Sequence, residues 1–227
     1  MASLIITLDG PAGSGKSAVA RLLAKRLGFA FLDTGAMYRG VMAVCLDRGI
    51  DPVAAPQSAA SLADSLDLRF DWETDPPELY LHTGDECINL TGRLRDAEVT
   101  RDVSAIAAIP GVRQVLVQAQ QRISQTHRQL VSEGRDQGSV VFPDAAMKFY
   151  LDAAPRVRAR RRSRQLQQAG QPANEKQILH AISQRDERDA KRSEGPLMCP
   201  DDALHVDTSD MTLDQVVDFL ERCVNNK

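Results

Sequence analysis

Apolar positions along the chain fall into short dense runs separated by stretches with helical spacing. Leu4-Ile5-Ile6-Thr7-Leu8 is a compact apolar run that stops just before a glycine-rich segment, the pattern of a buried strand. Ala18, Val19, Leu22, Leu23 and Leu27 then recur on one helical face, with Gly28 as the stop signal. Residues 29–32 read as a second buried strand, and Met37, Val41, Met42 and Cys45 line one face of a second helix. Residues 129–132, 147–151 and 203–206 repeat the texture of the first run and could join the same sheet. A last helix opens at Thr212, whose spacing to Gln215 fits a capping box. Strands separated by helical segments predict βαβ units, hence an α/β fold with a parallel sheet.

Between about 67 and 91 the pattern changes. Residues 68–72 and 79–82 alternate apolar and polar, with Asp75-Pro76-Pro77 as a turn between them. This predicts a small antiparallel insertion, followed by two helical segments that meet near Pro110-Gly111. The chain then divides into a core of 1–66 and 125–227 and an insertion of 67–124. From pattern alone the insertion is as readily a surface excursion as a wall of a binding site.

Composition narrows the class. The 227 residues are 43% hydrophobic and 26% charged, which excludes disorder throughout. The 28 basic and 31 acidic residues leave a net charge of −3, against the basic excess of a dedicated nucleic-acid binder. No apolar run approaches the ~18 residues of a membrane span. The first residues carry no positive region ahead of the apolar run, so no secretory signal is expected. Four scattered cysteines (Cys45, Cys87, Cys199 and Cys223) form no metal or disulfide pattern and suit the reduced thiols of a cytoplasmic protein.

The sharpest chemical signal follows the first strand. Gly10-Pro11-Ala12-Gly13-Ser14-Gly15-Lys16-Ser17 matches G-x-x-x-x-G-K-[ST], a loop whose backbone N–H groups turn inward on phosphate oxygens. A chain of this length matches by chance roughly once in a hundred, and here the match also lies between a predicted strand and a predicted helix. Lys16 would reach the β- and γ-phosphates, and the Ser17 hydroxyl would ligate Mg²⁺. No switch loops or base-reading motif of a GTPase follow, and no apolar strand ending in paired acids marks a motor ATPase. A small kinase remains, with a second substrate supplying the acceptor oxygen.

Further candidates sit where predicted strands end, the edge at which ligands of such sheets bind. Residues 32–39 offer Asp33 near the metal and phosphates, the Thr34 hydroxyl, and Arg39 as a phosphate fork or, equally, a surface ion-pair partner. Residues 133–139 place Arg135 and Asp136 between glycines, either a ligand loop or a structural turn. Residues 156–164 hold six arginines, a pattern of solvated helix faces and nucleic-acid patches. Arg185, Arg188 and Arg192 share one helix face with acids interleaved, and the two arginine segments together predict a helical lid at about 155–192.

These segments, GPAGSGKS at 10–17, LDTGAMYR at 32–39, SAIAAIPGVR at 104–113, EGRDQGSVVFPDA at 133–145 and RDERDAKR at 185–192, resemble in content and order the bacterial cytidylate kinases of the nucleoside monophosphate kinase group. The resemblance covers essentially the whole chain, and the second and fourth segments are its most specific parts. It implies a P-loop kinase with a five-stranded parallel sheet flanked by helices, an antiparallel monophosphate-binding insertion and a helical lid. The implied activity is a transferase of pyrimidine metabolism, phosphorylating CMP and dCMP with ATP and Mg²⁺. The chain would act as a monomer, with no nucleic-acid or membrane partner. Carried over position by position, Gly10 to Ser17 and Ala18 hold ATP, while Thr34, Arg39, Ser104, Arg113, Arg135, Asp136, Arg185, Asp189 and Arg192 hold the acceptor nucleotide. Ser104, Arg113 and Asp136 are then the cytosine readers. Lys16, Arg161, Arg162, Arg185 and Arg192 carry the transfer, and Ser17 and Asp33 hold the metal. Glu133 and Gln137 depart from the usual residues at their positions, and on this reading they bear on packing alone.

Overall fold

The computed structural model describes residues 3–226. Its elements run β1 (Leu4–Asp9), α1 (Lys16–Leu27), β2 (Ala30–Asp33), α2 (Thr34–Asp47), α3 (Pro56–Ser65), β3 (Asp67–Asp71), β4 (Glu78–Thr83), β5 (Glu86–Asn89), α4 (Ala97–Ile106), α5 (Pro110–Thr126), β6 (Gln129–Glu133), β7 (Met147–Asp152), α6 (Pro155–Gln168), α7 (Glu175–Ala190), β8 (Leu204–Asp207) and α8 (Leu213–Asn225). The five runs read as buried strands form one parallel sheet in the order β2-β6-β1-β7-β8. β1 is therefore central, with Ile6 opposite Val131 on one side and Met147 on the other.

Strand alternation sends successive side chains to opposite faces, and each face has its own apolar layer. Phe31 and Val131 point to the side covered by Val19, Ala20 and Leu23 of α1 and Val216, Val217 and Leu220 of α8. Leu32 and Leu130 point to the other side, against Met37, Val41 and Met42 of α2. Helix ends follow the local signals. Gly28 closes α1 at φ 69°, and Thr212 and Gln215 complete a reciprocal capping box at the start of α8.

The antiparallel sheet has three strands, β3-β4-β5, one more than the alternation predicts. β5 is exposed along its whole length, so it carries no hydrophobic pattern to read. The segment 67–124 shares its core with α2 and α3: Leu79, Leu81, Val99, Ile106, Val112 and Leu116 belong to one cluster with Met37, Val41 and Leu62. That shared core fixes α4 and α5 against the sheet and so positions the residues they carry.

The contact between α3 and α5 is tight. A Cβ at Gly111 would lie 2.8 Å from the Cβ of Ala60, closer than carbon atoms pack. Gly111→Ala would gain helix propensity of about 0.5–1 kcal/mol but force the helices apart at an overpacking cost of about 1–3 kcal/mol. The expected net loss of about 1 kcal/mol would lower Tm by about 2–4 °C in a thermal melt, and an unchanged or raised Tm would show that α3 yields freely.

Candidate active site

The phosphate loop leaves the central strand and is shaped by its glycines. Gly10, Gly13 and Gly15 have φ of 140°, 79° and 94°, and a Cβ on Gly10 would sit 2.0 Å from the Leu151 carbonyl oxygen. No side chain caps the first turn of α1, so this helix start presents its amides to an anion. Within the loop the Lys16 ammonium donates to the Pro11 carbonyl at 2.8 Å and to Ser14 Oγ at 3.4 Å. Burial, with Arg135 adding to it, pushes the Lys16 pKa below the ordinary lysine value.

Beside the loop, Ser17 Oγ donates to Glu133 Oε1 at 2.6 Å. Glu133 ends β6 directly opposite Asp33 at the end of β2. Its pKa is raised, first by burial and then by the Asp33 charge. This corrects the reading of Glu133 as a packing residue: its carboxylate stands against the predicted metal-binding hydroxyl. A carboxylate ending a buried strand next to the phosphate-loop strand was the available signal. Gln137 does serve packing, accepting from Ser132 Oγ at 2.8 Å and donating to Gln120 Oε1 at 3.2 Å. Asp33 also has a structural role, capping α2 through the Ala36 N–H at 3.0 Å. Ser17, Glu133 and Asp33 are hard oxygen donors, few in number, the set that suits Mg²⁺ completed by water and phosphate.

At the start of α2, Thr34 Oγ1 donates to the Glu133 carbonyl at 2.8 Å. Arg39 folds back over Gly35 and has no carboxylate within ion-pair distance among the described residues, so the surface ion-pair alternative is not realised. Arg113 of α5 is paired with Asp136, and both are almost wholly buried. Arg113 also approaches the Tyr38 hydroxyl at 3.5 Å, and Ser104 of α4 is buried too. Burial pushes the Tyr38 phenol up to about 12, so it remains a neutral partner.

Asp189, fully buried on α7, gathers the basic residues. It pairs with Arg135 at 3.1 Å and with Arg192, and Arg185 Nε stands 3.8 Å from it. That Arg185 Nε is buried without a hydrogen-bond partner. Burial, then Arg135, lowers the Arg185 pKa to about 9, and Arg39 and Arg192 add to the repulsion.

The arginines of α6 divide. Arg162 bonds Gln165 Oε1 at 3.4 Å, and its pKa is lowered by burial and then by Arg39 and Arg95. Arg161 bonds within the protein. Its guanidinium donates to the Thr208 carbonyl at 2.5 Å, to Thr208 Oγ1 at 3.0 Å and to the Ser14 carbonyl at 3.4 Å. Those bonds tie α6 to the loop after β8 and to the phosphate loop. Sequence reasoning missed Arg158, whose Nη1 donates to the Ala12 carbonyl at 2.9 Å, and Asp186, whose Oδ1 accepts the Ala12 N–H at 2.9 Å. One arginine among six and one acid among several offered no local signal.

Among known proteins, the family model described as cytidylate kinase matches residues 6–226. A cytidylate kinase of Azotobacter vinelandii is 42% identical over 217 residues, covering 95% of this chain and 92% of that protein. One from Streptococcus thermophilus is 40% identical over 222 residues, covering 97% of this chain and 96% of that protein. A bifunctional pantoate ligase/cytidylate kinase of Synechococcus is 43% identical over 214 residues, which are 94% of this chain and 41% of that one. Among solved structures, an uncharacterised protein from Eubacterium ventriosum shares the fold at a TM-score of 0.52 and 13% identity, covering 99% of both chains.

Asp9, at the end of β1, also escaped the sequence reading. It is 2% exposed and accepts the Gln137 and Gly138 N–H groups at 2.8 and 2.7 Å, holding the acceptor-side loop to the phosphate-loop strand. Burial outweighs those two bonds and raises its carboxyl from 3.8 to about 6. The folded chain then holds this proton more tightly than the unfolded one, so stability falls as pH rises from about 4 to about 6. The expected loss is about 3 kcal/mol, absent from Asp9→Asn. Urea unfolding of both proteins at several pH values reads the difference directly. A wild-type-minus-variant stability that stays level from pH 4 to 7 would show that the amide bonds win.

Proposed function

The chain belongs to the cytidylate kinase family, and we propose that it transfers the γ-phosphoryl group of ATP to CMP or dCMP, giving CDP or dCDP. The observation that carries this reading is the buried Nε of Arg185, which has no hydrogen bond, within the cluster of Arg39, Arg135 and Arg192, beside Lys16. Like charges held together at a cost in desolvation and repulsion favour a polyanionic ligand, and two phosphate chains meeting end to end are such a ligand.

In this mechanism the amides of residues 13–18 cradle the ATP phosphates, and Lys16 exchanges its bonds within the loop for phosphate oxygens. Ser17, with Glu133 and Asp33 beside it, would hold Mg²⁺, whose chemistry there would be charge neutralisation of the phosphates. The attacking atom is an oxygen of the CMP phosphate. That oxygen is already anionic at pH 7, so the chain needs no general base. Its contribution is alignment and charge neutralisation by Lys16, Arg39, Arg135, Arg185 and Arg192, with Arg162 approaching from α6. Asp189 holds Arg135 and Arg192 in place, and Arg185 stands farther from it, at 3.8 Å.

Base selection follows from Arg113 and Asp136. A carboxylate only accepts hydrogen bonds, so Asp136 suits the cytosine 4-amino group and sets oxygen against the uracil 4-carbonyl. Ser104 and Arg113 would serve the remaining ring positions. Sites built on a polar contact discriminate strongly, so kcat/KM for CMP should exceed that for UMP by about a hundredfold or more.

Two substitutions test this assignment. Lys16→Ala should lower kcat by about 10²–10³ while the chain stays folded, and near-normal turnover would remove the loop from the mechanism. Asp136→Asn should narrow the CMP-to-UMP ratio, because an amide also donates to the uracil carbonyl. Equal losses on both substrates in steady-state assays would show that Asp136 places the phosphate or supports Arg113 and does not read the base.

A further inference from the structure

Both polar groups of the Ala12 peptide face the lid helices. Asp186 of α7 takes its N–H at 2.9 Å, and Arg158 of α6 donates to its carbonyl at 2.9 Å. Arg158 and Asp186 are also paired with each other, so the two helices and the loop form one closed ring of contacts. Arg158 Nε fixes the start of the ring by donating to the Ala153 carbonyl at 2.8 Å, where the chain leaves β7 for α6. Ala12, Ala159 and Ile182 pack together beside it, and a Cβ on Gly13 would lie 3.3 Å from the Cβ of Arg158.

We propose that Arg158 and Asp186 are positioning residues for phosphoryl transfer, clamping the Ala12 peptide so that Arg185, the neighbour of Asp186 on α7, stands at a fixed place beside Lys16. The proposal rests on the kinase reading above and adds residues that touch neither nucleotide in it. A buried ion pair contributes little net stability, because desolvation offsets its attraction, so its value here lies in geometry. The ring has no slack. Arg158 reaches two carbonyls and a carboxylate from one planar group, which the single ammonium of a lysine does not reproduce. A shift of about 1 Å in a positioned group is enough to cost about a hundredfold in rate.

The test is a kinetic cycle on the full chain with ATP, Mg²⁺ and CMP. Asp186→Asn keeps the shape and can still accept the Ala12 N–H, but leaves Arg158 without its counter-charge. It should lower kcat about tenfold or more with both KM values changed by less than about threefold, and Arg158→Lys should do the same. Because the effect acts through Arg185, introducing Asp186→Asn into Arg185→Ala should cost less than about twofold further. Multiplicative losses in that double variant would overturn the proposal, as would KM rising with kcat unchanged. Absence of CMP phosphorylation by the wild-type chain would instead sink the kinase reading. Should Asp186→Asn fold poorly, Arg158→Lys alone and over Arg185→Ala supplies the same comparison.

Discussion

The site depends on holding several guanidinium groups together before any phosphate arrives, and Asp189 is the group that allows it. Its carboxylate is fully buried and faces Arg135, Arg185 and Arg192, which come from two different parts of the chain. The carboxylate accepts hydrogen bonds from Arg135 and Arg192 and has Arg185 as a nearby charge, whereas removal of these partners would leave an uncompensated buried charge. The placement of α7 follows from this need. Its Asn174 cap, the Ile182 contact with the phosphate loop and the Asp186 bond to Ala12 all hold the helix where Asp189 can reach Arg135.

The sheet order supplies the second half of the geometry. With β1 central and β6 between β1 and β2, the carboxyl ends of three adjacent strands deliver Asp9, Glu133 and Asp33 side by side. The three acids act on different partners. Asp9 ties down the 137–138 backbone, Glu133 receives Ser17, and Asp33 caps α2. On the proposed function, the ATP half is built largely from backbone amides and strand ends, and the CMP half draws on side chains from α4 and α5, which the shared core with α2 holds in place.

The sequence was most legible where one residue type has few alternatives. Glycines at positive φ, a lysine and a hydroxyl at fixed spacing, and apolar runs with helices between them led directly to the phosphate loop and to the parallel sheet. It was least legible where the geometry depends on long-range pairing. Glu133, Arg158 and Asp186 are ordinary charged residues in their own neighbourhoods, and their partners lie 116, 146 and 174 positions away. Arg161 shows the same limit from the other side. It belongs to the arginine tract by composition, yet its donors are taken by Thr208 and the Ser14 carbonyl. Strand β5 and helix α3 went unnoticed because the one is wholly exposed and the other short and rich in alanine and serine.

The same electrostatics sets the cost of the site. Burial disfavours the charged form of Lys16, Glu133, Asp9 and Arg185 alike, and each would be more stable in water. A fold evolved for stability alone would not place two carboxyls and two cations under such pressure. On the proposed function, phosphate oxygens would reverse the balance for the cations, supplying the hydrogen bond that Arg185 Nε lacks and giving Lys16 anionic partners in place of loop oxygens. Ligand binding is therefore expected to offset that cost, most with donor and acceptor phosphates both present. That coupling links the binding of both phosphates to the cations already gathered at the site, where charge neutralisation promotes transfer to CMP.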